Sequence, residues 1–144
     1  MPRFADIDPV EIPKALSRLY ILDVLPGGDF IYRLAGEDVS DRYGPSLKGK
    51  RISEIYPKGD TEAIISRWRM VATDGVCCFT KTVHATGRNR QITACRLLLP
   101  LGEGDLLAQH VLGVLSFEEF DLYDDLFVAQ AETVEVRVAD IRPQ

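Results

Sequence analysis

Apolar residues cluster or alternate with polar ones in five short stretches of this 144-residue chain, and recur at helical spacing in one longer stretch. Residues 20–25 ("YILDVL") and 30–36 ("FIYRLAG") are strand-like. The "PGGD" between them is a turn in which Gly27 and Gly28 tolerate positive φ and Pro26 fixes its own, so the pair predicts a tight antiparallel hairpin. "TEAIISRWRMVATD" places Ile64, Ile65, Trp68, Val71 and Ala72 on one helical face, with Asp60 as its cap and Gly75 just past its end. "VCCFTKTVH", "QITACRLLLPL" and "HVLGVLSF" read as three more strands joined by the glycine-bearing turns "ATGRNR" and "LGEGD". From Glu37 to Tyr56 the pattern supports two or three short helical pieces separated by Gly44, Pro45 and Gly49. Upstream, Asp8-Pro9-Val10-Glu11 has an N-cap, a proline at the first helical position and a capping-box glutamate, predicting a helix that Pro13 limits or restarts. The tail is divided: Leu122, Leu126, Ala129, Thr133 and Val136 keep helical spacing, while "VEVRV" alternates with a period of two. The first pattern favours a helix from near Asp121.

A hairpin, a helical crossover and a three-stranded meander make an α+β domain, with a five-stranded antiparallel sheet flanked by N-terminal and C-terminal helices. The expected division is an N-terminal helical flank over 1–18, a core domain over 19–117, and an extension over 118–144 that starts as helix. The order and spacing of "DIDPVEIPKAL", "YILDVLPGGDFIYRLAGEDVSDRYGPSLKGKRISEIYP" and "CRLLLPL" resemble a PAS domain, of the compact single-domain group found in many bacterial proteins. The resemblance covers residues 6 to 117. It implies a sensory or interaction module of signal transduction in which short helices wall a ligand cavity. In that family a glycine near the end of the second strand and a "G-k-x-l-x-e-l-x-P" segment punctuate those helices, and Gly44 and Gly49 look like such breaks.

Hydrophobic residues make up 46% of the chain and charged residues 27%, the balance of a folded soluble domain. A net charge of −5 spread along the sequence leaves no basic footprint for nucleic acid or an anionic membrane, since Lys48/Lys50/Arg51 and Arg88/Arg90 are small clusters. No apolar run approaches the ~20 residues of a membrane span, and "MPRFADIDP" lacks the apolar stretch of a signal peptide, so a cytoplasmic location is expected. The length leaves no room for an attached kinase, cyclase or DNA-binding domain, so output is expected to pass through another protein.

"YGPSLKGKR" contains a glycine, four residues and Gly49-Lys50, nearly a phosphate-binding P-loop. Arg51 stands where the motif needs a Ser or Thr for magnesium, and neither a buried strand before it nor a long helix after it is predicted. Cys77, Cys78 and Cys95 are an odd set and imply no disulfide framework. Cys78 and His84 share a strand face but lie roughly 20 Å apart at ~3.3 Å per residue, too far for a catalytic pair. His110 begins a different strand. No short-spaced ligand set for zinc occurs, and the run Glu118, Glu119, Asp121, Asp124, Asp125 lacks the glycine and spaced oxygens of a calcium loop.

The resemblance also bears on cofactors. Photoactive flavin-binding relatives carry Asn-Cys-Arg early in the crossover, and residues 37–56 have neither Asn nor Cys; haem needs an axial ligand near the long helix, and residues 60–75 have no histidine. Flavin and haem are therefore not expected. A small-molecule cavity remains, with Phe30, Tyr32 and Leu34 of the second strand and Cys95, Leu97 and Leu99 of the fourth taken as its inward faces. Tyr32, Tyr43, Trp68, Cys95 and Ser116 are the candidate ligand-binding residues, against the plainer reading that they are core side chains. The opposite face of the first, fourth and fifth strands (Leu22, Val24, Ile92, Ala94, Leu98, Leu112, Val114) is apolar too, so both faces need cover, and a homodimer through the outer face and flanking helices is expected. The competing class is a small cone-shaped α+β isomerase or hydratase using a buried carboxylate, for which Asp23 is the best acid.

Overall fold

The computed structural model describes residues 1–55, 61–86, 90–104, 107–121 and 132–141. Strands β1 (Leu19–Val24) and β2 (Phe30–Ala35) form the expected hairpin. Its turn is closed by Leu25 N–H donating to the Asp29 carbonyl at 2.8 Å and Gly28 N–H to the Leu25 carbonyl at 3.1 Å, with both glycines at positive φ. Helices α1 (Glu37–Tyr43), α2 (Ile52–Ile55) and α3 (Thr61–Asp74) make the crossover, followed by β3 (Val76–Thr86), β4 (Arg90–Leu101), β5 (His110–Asp121) and β6 (Glu132–Asp140). All pairings are antiparallel, and the sheet order is β2-β1-β5-β4-β3-β6.

Two flanks differ from the sequence pattern. Instead of an α-helix, the N-terminus holds 3-10 turns at Phe4–Asp6 and Leu16–Arg18, with an isolated turn in which Asp8 Oδ1 accepts the Val10 N–H at 2.9 Å. The capping signal was read by the chain, but Pro13 has no N–H to give the Pro9 carbonyl, which instead accepts the Ile12 N–H at 3.3 Å, so the i→i−4 ladder is broken within its first turn. At the other end β5 runs through Asp121, and residues 132–140 are a sixth strand paired with β3, so the period-two alternation of "VEVRV" prevails there over the helical spacing. Of the helix expected from near Asp121, the part falling on 122–131 lies outside the described residues.

Two apolar clusters sit on opposite faces of the sheet. Tyr20, Leu22, Phe30, Tyr32, Leu98, Val111 and Leu115 point to the inner face, where Val39, Ile52, Ile65, Trp68, Val71 and Ala72 of the helices cover them. On the outer face Leu19, Ile21, Leu101 and Leu112 pack under Ile7 and Ile12 of the N-terminal segment. Both faces are apolar, and each receives cover from a different part of the chain.

The register decides which residues reach the interior. Leu22 pairs with Tyr32 but Ile21 with Leu34, so Arg33 is a bulge residue on β2. That extra residue turns Leu34 to the outer face, where it is 45% exposed. On β4 the expected inward set is inverted: Ala94 and Leu98 are buried on the inner face, while Leu97 is 39% exposed and Leu99 packs with the outer cluster.

Candidate functional site

The interior between sheet and helices is lined by rings. Phe30 meets Trp68 edge-on with centroids 5.5 Å apart, and Tyr20 lies 6.2 Å from Trp68 and 5.9 Å from Tyr32. Trp68 reaches this place because α3 turns its Ile65/Trp68/Val71/Ala72 stripe to the sheet. Tyr43, the last residue of α1, brings its hydroxyl over β4, where it accepts a 2.7 Å hydrogen bond from Arg96 Nη2. Arg42 beside it stacks on Phe117 of β5, its guanidinium 4.8 Å from the ring centroid. Together these contacts lay α1 across the sheet.

Of the five candidate ligand residues, Tyr32, Tyr43 and Trp68 meet on the inner face. Cys95 and Ser116 do not join them. They are Cα partners on β4 and β5, and each lies between residues that face inward: Ala94 and Arg96 beside Cys95, Leu115 and Phe117 beside Ser116. Their side chains therefore belong to the outer face. What replaces them inside is Arg96, with Tyr20 reaching across from β1. Alternation groups Cys95, Leu97 and Leu99 apart from Arg96 but does not say which of the two rows turns inward. Gly113 in "VLGVL" was the available signal for Tyr20, because a glycine inside a strand marks the close approach of another group.

Asp23 has no place in this interior. It sits on the outer face with its side chain 29% exposed, one carboxylate oxygen accepting from Arg33 Nε at 2.7 Å and lying 2.7 Å from His110 Nδ1. Phe4 stacks against His110 and takes the Arg33 guanidinium over its ring, closing the N-terminal turn onto the trio. Partial burial pushes the Asp23 carboxyl up, but the hydrogen bonds from Arg33 and His110 and their charges outweigh it and hold the group below the ordinary carboxylate range. An acid used by an isomerase would be shifted the other way.

The P-loop-like segment has its amides committed elsewhere. Gly49 N–H donates to the Tyr32 carbonyl at 2.8 Å, Lys50 N–H to the Leu47 carbonyl at 2.9 Å, and the Lys50 carbonyl accepts the Tyr32 N–H at 3.0 Å. Residues 49–51 thus seal the free edge of β2, and α2 after them is four residues long. Gly44 ends α1 at φ 106°, the helix-breaking role expected of it, whereas Gly49 at φ 84° lies in a turn with no helix directly before it. Cys77, Cys78 and Cys95 are free thiols, and burial pushes Cys77 and Cys78 up, away from the nucleophilic thiolate. No cluster of three metal-ligating side chains occurs among the described residues, and no helix among them is long and apolar enough to cross a membrane.

The fold and site define an α+β domain whose helical crossover encloses an aromatic interior against one face of an antiparallel sheet. A PAS domain family model matches residues 1–116 of the 144, and the chain belongs to that family. PAS domains are sensory or interaction modules. No curated protein and no solved structure matches the chain.

Proposed function

We propose that this chain is a non-catalytic, cytoplasmic signalling module that binds a small molecule between its sheet and crossover helices and relays the binding to a partner protein. The observation that carries the reading is the part-buried Tyr43–Arg96 hydrogen bond beside the aromatic cluster. It sets polar groups within a largely apolar enclosure, the combination by which binding sites orient a ligand. Because Tyr43 closes α1, a ligand that competes for Arg96 also acts on the position of that helix, which is a route from occupancy to conformational change. Native mass spectrometry of freshly purified protein tests the reading. A retained small molecule, or a panel compound that shifts the melting temperature, supports it; a chain that binds nothing in either assay leaves protein interaction alone as its role.

The outer face supports a second element of the proposal, a homodimer. Ile7 and Ile12 cover one part of it, while Leu97 and Leu34 remain partly exposed, at 39% and 45%. A second copy placed there would bury them. Sedimentation equilibrium at high protein concentration decides this point, and a strict monomer would remove the dimer from the proposal. Asp23, ion-paired on the outer face, offers no support to an isomerase or hydratase.

A further inference from the structure

The sixth strand stands apart from the rest of the sheet. β1 to β4 and the greater part of β5 fall within the residues that the PAS family model matches, and β6 falls after them. Among the described residues it lies at the end of the sheet with β3 as its strand neighbour, and its ladder slips out of register between Lys81 and Thr82. Every side chain from Val136 to Asp140 is exposed, with Val136 at 49% and Val138 at 50%, so β6 adds little buried apolar surface to its ladder hydrogen bonds. Cys78, Thr80 and Thr82 of the neighbouring β3 are buried. Segments that bury little open at a smaller free energy than the whole domain. When β6 opens, β3 becomes the sheet edge, with a row of N–H and C=O groups that another strand can satisfy.

We propose that two copies of this chain exchange β6, each laying residues 132–140 along β3 of the other, so that a closed monomer and an exchanged dimer stand in equilibrium. The ladder within one chain shows the fit: Val76 pairs with Asp140, Cys78 with Val138 and Thr80 with Val136, and an exchanged β6 makes the same pairs in the same register. The exchanged form therefore keeps the contacts of the closed one and gives up the free movement of two separate copies, a cost that falls as concentration rises. A second copy is the partner because it carries the strand that β3 already accepts. The contact runs along the sheet edge, whereas the outer-face dimer proposed above buries Leu34 and Leu97, and either can form without the other.

Cys78 and Val138 supply the test, because Cα partners in an antiparallel ladder stand about 4.5–5.5 Å apart, within the span of a disulfide. One version of the full chain carries Cys77→Ser, Cys78→Ser, Cys95→Ser and Val138→Cys; the other carries Cys77→Ser and Cys95→Ser alone. Neither can close the bond within itself, so a disulfide from position 138 of one to Cys78 of the other reports exchange. The two are mixed, incubated in a glutathione redox buffer and read by mass spectrometry without reduction. The linked pair should increase at least about fivefold as total chain rises from about 10 to about 300 µM. Ala139→Cys in place of Val138→Cys faces the other side of the sheet, opposite residue 77, and should give no more than about a tenth as much. No linkage at the highest concentration, or equal linkage from positions 138 and 139, overturns the inference. A dimer in sedimentation without that linkage also overturns it, while the outer-face dimer stands. If the version with Cys78→Ser does not fold, Val138→Cys with Cys78 kept decides: the bond should pass from within one chain to between two as concentration rises. A bond that stays within one chain at every concentration overturns the exchange.

Discussion

The para carbon of the Tyr20 ring lies over Gly113, its Cα partner on the neighbouring strand, so closely that a Cβ on residue 113 would overlap the ring. The ring is fully enclosed between sheet and helices and has little space in which to move aside. Gly113→Ala should therefore lower stability by about 2–3 kcal/mol through overpacking, read as a shift of the urea midpoint. In a Tyr20→Leu background the same substitution should cost less than half as much, because the group it strikes is gone. Equal costs in the two backgrounds would show that the ring does not occupy this place.

Trp68 is the only tryptophan and is 1% exposed, packed against Tyr20 and Phe30. Its emission should be blue-shifted and inaccessible to iodide in the native chain, moving to the red on unfolding. Trp68→Ala should cost about 3–5 kcal/mol, since it empties the largest side chain from the middle of the inner cluster.

Asp23 predicts a pH dependence with a definite sign. Its carboxyl titrates lower in the folded chain than in the unfolded one, where its value is about 4. The stabilisation by Arg33 and His110 is then fully present above that value and is lost as the pH falls through the lower, folded one. The margin by which the natural chain exceeds Asp23→Asn in urea midpoint should be level above about pH 5 and shrink below about pH 4. A margin that grew on acidification would mean the folded carboxyl is raised, as the enzyme reading requires.

Gly49 separates conformational cost from steric cost. Its φ is 84°, yet a Cβ there would meet nothing within 4 Å. Gly49→Ala should lose about 1–2 kcal/mol through the left-handed backbone alone, without the background dependence expected at Gly113. Because its amide is bonded to Tyr32, magnesium ATP should leave the melting temperature unchanged for both natural chain and variant. A nucleotide-dependent rise would restore the phosphate-binding reading of this segment.

The hairpin, the α3 stripe and the helix-breaking glycines were legible because each depends on neighbours within a few residues: Gly27 and Gly28 in one turn, Ile65, Trp68, Val71 and Ala72 on one helical face. The candidate site was legible only in part. Tyr32, Tyr43 and Trp68 stand together on the inner face, whereas Cys95 and Ser116 lie on the outer one, and Arg96 and Tyr20 hold inner positions that the sequence pattern does not single out. On a strand apolar on both sides, alternation fixes which residues share a face but not which face turns inward.

Local chemistry determined the hairpin, the helical crossover and the three strands after it, and with them the α+β class, since turn, cap and period signals act over a few residues. Tertiary contacts decided the rest. The bulge at Arg33 turned Leu34 outward, pairing with β3 drew residues 132–140 into the sheet, and Gly113 admitted the Tyr20 ring beside Arg96. Each of these depends on a partner far along the chain, which the local sequence does not specify.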